Sequence, residues 1–156
     1  MKLKNMLTAT VFSLALVAVL MVSCAGPATG FDGSRLGDCP ASPNCVCSEM
    51  DPDKDPDKGA HVAPFAIPEG VAPATAFEAL AGLVSEKAAI ETREAGYLHA
   101  VYTTRWLRFR DDFEARLDAE AGVIHVRSAS RLGYSDLGMN ERRVNNLRKR
   151  LADSLQ

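Results

Sequence analysis

The spacing of apolar residues changes along the chain, and each spacing predicts a different kind of element. A mainly apolar run without a charged residue extends over residues 6–22. A helical period follows later, with apolar side chains at positions i, i+3, i+4 and i+7: Phe77, Leu80, Ala81 and Val84. Thr75 and Glu78 have the spacing of a capping box, so an amphipathic helix is predicted to begin near Thr75.

Strand-forming segments follow this helix in close succession, at residues 88–94, 97–104, 111–118 and 123–130. The links between them are short, which predicts an antiparallel meander, since parallel strands need long crossovers. In the third segment Phe113, Ala115 and Leu117 alternate with charged residues. One face of the sheet is therefore predicted to be apolar, and the other is predicted either to be solvated or to form the functional site.

A second apolar stripe at helical spacing lies near the end of the sequence. Its members are Val144, Leu147, Leu151 and Leu155. The stripe predicts a last helix that begins near Asn140 and packs on the sheet. The predicted fold is α+β: an antiparallel meander of about four or five strands, packed with one helix before the strands and one after them.

Residues 24–59 differ from the rest because they are rich in Gly, Pro, Asp and Ser and have little apolar periodicity. They predict a tether and a cysteine-containing loop, followed by a single domain over residues 60–156. Alternate carboxylates at residues 51–57 resemble the start of a calcium-binding loop. Pro56 stands where that loop needs glycine and Val62 where it needs glutamate, so a solvated acidic turn is the preferred interpretation.

The amino-terminal residues predict export. Lys2 and Lys4 precede the apolar run, and no acidic residue occurs before Asp32, as is typical of a signal peptide. A small residue directly before Cys24 resembles the lipobox, where the signal peptide is cut before a diacylated cysteine. We expect residues 1–23 to be removed and Cys24 to carry acyl chains such as palmitate. An ordinary cleaved signal and a retained membrane anchor are the alternatives.

Export and charge together limit the partners of the mature chain. Ala25 after the lipidated cysteine resembles lipoproteins of the outer membrane, so the domain is expected to face the periplasm, with the lipid bilayer as a partner. Residues 24–104 carry 5 basic and 12 acidic side chains, and residues 105–156 carry 11 basic and 8 acidic ones. The mature chain is thus acidic, which together with export argues against nucleic acid as a partner, and an anion is expected in the basic half.

Three cysteines remain when Cys24 carries lipid, which predicts one disulfide and one spare thiol in an oxidising compartment. Pairing Cys39 with Cys45 closes a small loop, worth roughly 2 kcal/mol by chain entropy, and pairing Cys39 with Cys47 is the alternative. A bridge between Cys45 and Cys47 would be strained. The cysteine spacing does not match zinc sites, and neither a metal ion nor a cofactor is predicted.

Three motifs follow one another along the mature chain. Residues 39–46 are Cys-Pro-Ala-Ser-Pro-Asn-Cys-Val, residues 108–114 are Arg-Phe-Arg-Asp-Asp-Phe-Glu, and residues 127–136 are Arg-Ser-Ala-Ser-Arg-Leu-Gly-Tyr-Ser-Asp. Together they closely resemble the bacterial and plastid family called domain of unknown function 1499, over about residues 36–151. The resemblance implies Cys39 with Cys45 as the shared disulfide, because the family more usually has serine in place of Cys47. It implies no particular reaction.

The third motif concentrates hydroxyl groups, guanidinium groups and a carboxylate in a loop with glycines. We predict that this segment binds a small anion or a lipid headgroup through forked hydrogen bonds, helped by backbone N–H groups at the helix start. The candidate ligand-binding residues are Arg127, Ser128, Ser130, Arg131, Tyr134, Ser135, Asp136, Asn140 and Arg143. The alternative is an interlocked loop in which Asp136 pairs with an arginine and Asn140 caps the helix.

Two other classes of function fit parts of the sequence. An envelope scaffold protein would use Trp106, Leu107 and Phe109 as a partner-facing patch beside arginines, although packing in the core is the simpler expectation for these side chains. A hydrolase would need a serine with a histidine base, and Ser135 has no evident histidine partner. The predicted function is a non-catalytic, membrane-tethered binding module, with the scaffold as the alternative and a hydrolase less favoured.

Overall fold

The computed structural model describes residues 30–51, 53 and 60–156. The predicted signal peptide, Cys24 and most of the acidic turn lie outside these residues. The first elements are β1 (Cys45–Cys47), β2 (Ala60–His61), β3 (Phe65–Ala66) and α1 (Pro73–Ser85). The later elements are β4 (Ala88–Glu94), β5 (Tyr97–Thr103), β6 (Arg110–Asp118), β7 (Val123–Ser130) and α2 (Met139–Ser154). The predicted α+β class is confirmed.

Strands β4 to β7 form the predicted antiparallel meander, and their bounds agree with the predicted ones within one residue. Gly96 and Gly122 lie in two of the links with φ of 81° and 65°, a conformation that glycine adopts without steric cost. β1 adds to the free side of β7 and pairs in parallel with β2, so the described sheet has the order β2-β1-β7-β6-β5-β4. β3 pairs with another part of β7.

The main hydrophobic core lies between the two helices and one face of the sheet. β6 contributes Phe113 and Ala115, which are both fully buried. The helices contribute the two predicted apolar stripes, which include Phe77, Leu80, Ala81 and Val84 of α1 and Val144, Leu147 and Leu151 of α2. Because burying one large apolar side chain stabilises a fold by about 1.5–3 kcal/mol, these stripes fix both helices on the sheet.

The predicted amphipathic helix is confirmed as α1, but it begins two residues before Thr75, so the capping role of Thr75 is not found. Its first residue is Pro73, preceded by Ala72, which forms no side-chain cap hydrogen bond. Proline suits the first helical position because its φ is already helical and an N–H there would have no partner within the helix. Thr75 therefore lies inside the first turn.

The opposite face of the sheet is covered by residues 30–51, which we call the covering segment. It buries a second apolar cluster against the strands: Leu36, Cys39, Cys45, Cys47, Met50, Tyr97 and Ala129. Phe31 packs on this cluster and stacks on Tyr97, with ring centroids 4.0 Å apart. Asp112 and Glu114 of β6 point to this face and have no exposed surface. The face is therefore neither solvated at these positions nor open to a ligand.

The cysteines hold the covering segment to the sheet. Cys39 and Cys45 form the predicted disulfide, and Cys45 belongs to β1. Cys47 is free and fully buried, as expected of the spare thiol. Burial raises the pKa of this thiol, so it remains in the protonated form that reacts poorly.

Both apolar clusters are built from residues between 31 and 155. A chain that begins at residue 25 therefore contains every described core contact. Within the described parts of the chain, no helix has the length and apolar character needed to cross a bilayer.

Candidate functional site

The acidic residues of β6 supply two separate buried networks, because side chains alternate between the faces of a strand. Asp111 faces the helices, whereas Asp112 and Glu114 face the covering segment. All three side chains are buried. A buried carboxylate needs charged or hydrogen-bonding partners, since desolvation of an unpaired charge is costly. Those partners are residues of the motif that was predicted to bind a ligand.

Glu114 is bound from three directions on the covered face. Arg127 Nη1 donates to Glu114 Oε2 over 2.9 Å, and the Tyr97 hydroxyl donates to Oε1 over 2.9 Å. The backbone N–H of Gly30 points at both carboxylate oxygens from 3.4 Å. Burial, together with the adjacent Glu114 charge, raises the pKa of Tyr97 well above its usual range. Tyr97 therefore remains a hydroxyl donor to this carboxylate.

Asp112 forms the second ion pair on the covered face. Arg131 donates two hydrogen bonds to the Asp112 carboxylate, from Nε to Oδ2 over 2.9 Å and from Nη2 to Oδ1 over 2.8 Å. The ring nitrogen Nε2 of His99 lies 2.8 Å from Oδ1. The hydrogen bonds to Asp112 raise the pKa of Arg131 further above its usual value. Forked contacts of this kind are the strong, directional form of the arginine–carboxylate pair.

Arg143 links α2 to the helix-facing side of the sheet. Its Nη2 donates to Asp111 Oδ2 over 2.5 Å, and its Nη1 donates to Ser128 Oγ over 2.9 Å and to Asn140 Oδ1. The guanidinium carbon lies 4.3 Å from the centroid of the Tyr102 ring, so the group also stacks on an aromatic face. Arg143 is thus held by contacts from β5, β6, β7 and its own helix.

Asn140 joins the last helix to the rest of this network. It has no exposed surface, and its Oδ1 accepts a hydrogen bond from Ser128 Oγ over 2.7 Å. Its Nδ2 donates to the Asn44 carbonyl over 2.9 Å and to Ser130 Oγ over 3.1 Å. Ser130 in turn donates to Asp111 over 2.7 Å. The covering segment, β6, β7 and α2 therefore meet at one buried amide.

Asp136, not Asn140, caps helix α2, so the alternative role considered for Asn140 is wrong. The Asp136 carboxylate accepts the backbone N–H of Gly138 over 2.9 Å and that of Asn140 over 2.6 Å. It occupies the place at the helix start where a bound anion was expected. Ser135 Oγ accepts the N–H of Leu137 over 3.2 Å, and Tyr134 is 75% exposed.

The structure thus divides the predicted site residues into three groups. Arg127 and Arg131 lie on the covered face of the sheet. Ser128, Ser130, Asn140 and Arg143 lie on the helix-facing side. Tyr134, Ser135 and Asp136 lie in the connecting loop. The three arginines all bind carboxylates, so none can turn a guanidinium to a ligand without giving up an ion pair.

A cleft of 360 Å³ lies beside the buried network of Asp111 on the helix-facing side of the sheet. It lies between the β5–β6 loop (residues 104–109) and the β7–α2 loop (residues 131–138) with the start of α2. Its lining residues are Thr104, Phe109, Asp111, Ser130, Leu132, Gly133, Ser135, Asp136, Leu137 and Met139. The acidic groups among them are already bound, Asp111 by Arg143 and Ser130, and Asp136 by the helix start. The cleft therefore offers mainly apolar wall surface.

The loops that border the cleft expose large apolar side chains. Trp106 is 86% exposed, Leu107 70% and Phe109 44%, so the expectation that they pack in the core is wrong. All six exposed large apolar side chains of the described residues belong to these loops and the first residue of α2: Trp106, Leu107, Phe109, Tyr134, Leu137 and Met139. An apolar surface gathered in one place marks an interaction site, whereas single exposed apolar residues do not.

Each loop also contains one strained backbone position. Arg108 and Leu137 both have φ of 55°, and they are the non-glycine residues with positive φ among those described. Such a conformation costs of order 1–3 kcal/mol and persists where surrounding contacts hold it, often at functional sites. Two hydrogen bonds between Thr104 and Phe109 close the first loop. The Thr104 N–H donates to the Phe109 carbonyl over 2.9 Å, and the Phe109 N–H donates to Thr104 Oγ1 over 2.9 Å.

Exposed arginines lie in or next to the β5–β6 loop that borders the cleft. Arg105, Arg108 and Arg110 are exposed, and none of them forms an ion pair with a described carboxylate. Arg142 Nη1 donates to the Leu137 carbonyl over 2.8 Å, which places a fourth guanidinium at the cleft rim. Unlike the buried arginines, these side chains are available to an anion.

One serine lies beside a histidine, as a hydrolase would require. Ser48 Oγ is 3.3 Å from His125 Nδ1, but it also accepts the Val126 N–H over 2.8 Å, and Ser48 is only 7% exposed. His125 Nε2 is 4.0 Å from Asp118 Oδ2, which is too far for a hydrogen bond. Burial lowers the pKa of His125, which keeps the ring neutral. The pair lacks both an accessible nucleophile and an oriented base.

The sequence reasoning missed the role of the three β6 carboxylates. They occur in the middle motif as Asp111, Asp112 and Glu114, and each binds one arginine of the third motif or of α2. The available signal was the predicted adjacency of the two strands, since Glu114 stands directly opposite Arg127 in the register. Opposite charges on neighbouring strands favour each other.

Apart from Gly30, the residues of both networks and of the cleft lie in the part of the chain that matches a protein family. The family DUF1499, described as a protein of unknown function, matches residues 35–151. No curated protein and no solved structure matches the chain. With three quarters of its length matched, and with the sequence resemblance over about residues 36–151 confirmed, this chain belongs to the DUF1499 family.

Proposed function

We propose that the protein is an envelope lipoprotein whose domain binds an anionic amphiphile, a molecule with an apolar chain and a negatively charged headgroup. The binding site is the cleft between the β5–β6 loop and the β7–α2 loop. The observation that carries the proposal is the combination of apolar cleft walls with exposed arginines nearby that form no ion pair with a described carboxylate. This extends the expected binding of a small anion or lipid headgroup to the apolar part of the ligand.

The size and chemistry of the cleft support an apolar chain as occupant. Ligand sites in proteins are concave, mostly apolar and about 300–1,000 Å³ in volume, and this cleft has 360 Å³. Phe109, Leu132 and Met139 provide the wall. Asp111 and Asp136 lie at its surface with their charges already balanced by Arg143 and by the helix start. They therefore do not repel an anionic ligand as free carboxylates would.

The charges of the rim support an anionic headgroup. A guanidinium binds phosphate or carboxylate through two parallel hydrogen bonds, and Arg105, Arg108 and Arg142 lie on the two sides of the cleft. We assign the headgroup to these exposed arginines. Arg127, Arg131 and Arg143 act indirectly by holding the strand and loop that form the cleft wall.

The proposed location is the cell envelope, with residues 1–23 removed as a signal peptide and Cys24 carrying the acyl chains. The membrane is the outer membrane and the domain faces the periplasm. The Cys39–Cys45 disulfide supports export, because stable disulfides form in oxidising compartments and are rare in the cytosol. The bilayer is then a constant partner, and lipid is the most abundant amphiphile within reach.

A second candidate is an envelope scaffold that binds another protein. The exposure of Trp106, Leu107 and Phe109 favours it, because aromatic and arginine side chains are enriched at protein interfaces. The less favoured hydrolase has the Ser48–His125 contact as its only geometric support among the described serines.

The proposal is tested by native mass spectrometry of residues 25–156, purified from the periplasm and then incubated with a short-chain phosphatidylglycerol. We expect an adduct with the wild type and with Met139→Leu, and a bare chain with Met139→Asp. Aspartate is well tolerated in the first turn of a helix, so this variant changes the cleft wall while the fold is kept. Wild-type protein without a lipid adduct would contradict the proposal. If that protein instead co-purifies with another envelope protein, the scaffold would be favoured.

A further inference from the structure

Two highly exposed apolar side chains of the β5–β6 loop do not line the cleft. Trp106 and Leu107 belong to the tip of the β5–β6 loop, and neither is among the lining residues. Leu137 of the β7–α2 loop lines the cleft but is 84% exposed. A ligand within the cleft therefore leaves Trp106 and Leu107 in contact with water. We call these two side chains, together with Leu137, the loop tips. A second apolar surface is needed to cover them.

The charges around the loop tips indicate an anionic surface. Residues 104–110 contain three arginines and no acidic residue, although the mature chain as a whole is acidic. The other described arginines with ion pairs, such as Arg93 and Arg116, are neutralised by carboxylates. Arg105 lies over the Trp106 ring, 5.6 Å from its centroid. Tryptophan with adjacent arginine and leucine is the composition that lies at the boundary between lipid headgroups and acyl chains.

The length of the tether places a bilayer within reach of the loop tips. Gly30 binds Glu114, which is four residues from the start of β6, or about 14 Å along the strand. Only residues 25–29 separate Gly30 from Cys24, so the chain between them spans at most about 20 Å. Glu114 is equally far from the other end of β6, so a lipid on Cys24 lets either end of the sheet reach the membrane. The exposed apolar side chains and the arginines favour the loop end.

We infer that Trp106, Leu107 and Leu137 insert into the anionic leaflet that holds the lipid anchor, with Arg105 and Arg108 on lipid headgroups. The inference rests on the proposed lipid anchor at Cys24. Docking in this way turns the open side of the cleft to the bilayer, which identifies a membrane lipid as the source of the amphiphile.

The test uses the full lipoprotein in vesicles, with Trp106 as the probe because it is the only tryptophan of the chain. Vesicles of phosphatidylcholine are compared with vesicles that also contain phosphatidylglycerol, both with nitroxide groups on the acyl chains. We expect the Trp106 emission to shift to the blue and to be quenched in the anionic vesicles. Unquenched emission, equal to that of the soluble domain, would overturn the inference.

Four variants separate docking from the anchor and from the cleft. Leu107→Gln, which lies outside the cleft lining, and the double variant Arg105→Gln with Arg108→Gln should lose the quenching. Lys149→Gln, which removes an exposed cation on α2, should keep it. Quenching that persists in the double variant would overturn the role of the arginines. Met139→Asp should empty the cleft yet leave Trp106 quenched. An adduct in mass spectrometry without quenching would leave the proposed function standing and refute the docking.

Discussion

Asp111 and Asp112 are consecutive in the chain, yet arginines bind them from opposite sides of the sheet. Arg143 of α2 reaches Asp111 over 2.5 Å, and Arg131 after β7 reaches Asp112 over 2.8 Å. The loop between these two arginines is therefore fixed at both ends to the same point of β6. That loop forms one wall of the cleft, so a motif rich in arginine shapes the cleft while its own guanidinium groups bind carboxylates.

Replacing Arg131 with alanine should destabilise the domain. Asp112 would remain buried with only His99 and its other local contacts, and breaking a buried ion pair costs about 3–5 kcal/mol. We expect a loss near the lower end of that range in urea unfolding of residues 25–156. The matched control is Arg93→Ala, which removes an exposed pair with Glu78 and should cost less than about 1 kcal/mol. Equal effects of the two variants would contradict the structural role of Arg131.

Stability should rise with pH where His125 titrates. Burial lowers its pKa in the folded chain below the usual value of about 6.5, so the unfolded chain binds the proton more readily. The contribution is complete above the unfolded pKa and is lost as the pH falls through the folded one. The free energy of unfolding, measured from about pH 7.5 to 5, should fall less steeply on acidification in His125→Gln than in the wild type. Identical slopes would show that His125 is not shielded from water.

Cys47 should resist alkylation while the domain is folded. The thiol has no exposed surface, and burial raises its pKa, so little thiolate is available to react. Iodoacetamide should add to residues 25–156 only after denaturant is present, and then once per chain under non-reducing conditions, because Cys39 and Cys45 are bonded. Mass spectrometry of the intact domain follows the reaction. Rapid labelling in buffer alone would mean that the covering segment opens easily.

The parts of the fold that sequence predicts well are those set by local patterns. The strand that contains Phe113 was predicted from the alternation of apolar and charged residues. The helix that contains Val144 was predicted from apolar residues at helical spacing, and both apolar faces are buried in the core as expected. The burial of Glu114 could not be predicted, because its cover comes from Gly30, 84 residues away in sequence. The apolar residues of the covering segment, such as Phe31 and Leu36, are too few and too irregularly spaced to predict that this segment packs on the sheet.

The site was predicted only in part for a similar reason. The arginine motif is near the cleft, but whether a guanidinium faces a ligand or a carboxylate depends on the register of neighbouring strands. The Asp136 cap depends on the course of the loop, which has Leu137 at a positive φ. The hydrophobicity of Trp106 does not show whether its side chain lies in the core or on an exposed loop. Only the fold shows that the β5–β6 loop extends away from the sheet.

The most direct test of the cleft is a nuclear magnetic resonance titration of ¹⁵N-labelled residues 25–156 with a short-chain phosphatidylglycerol below its micelle concentration. If the cleft binds the lipid, the amide signals of Thr104, Leu132 and Met139, which line the cleft, should show saturable shifts. The signals of Ser48 and His125 should change little. The largest shifts at Ser48 and His125, or none at saturating lipid, would contradict lipid binding in the cleft.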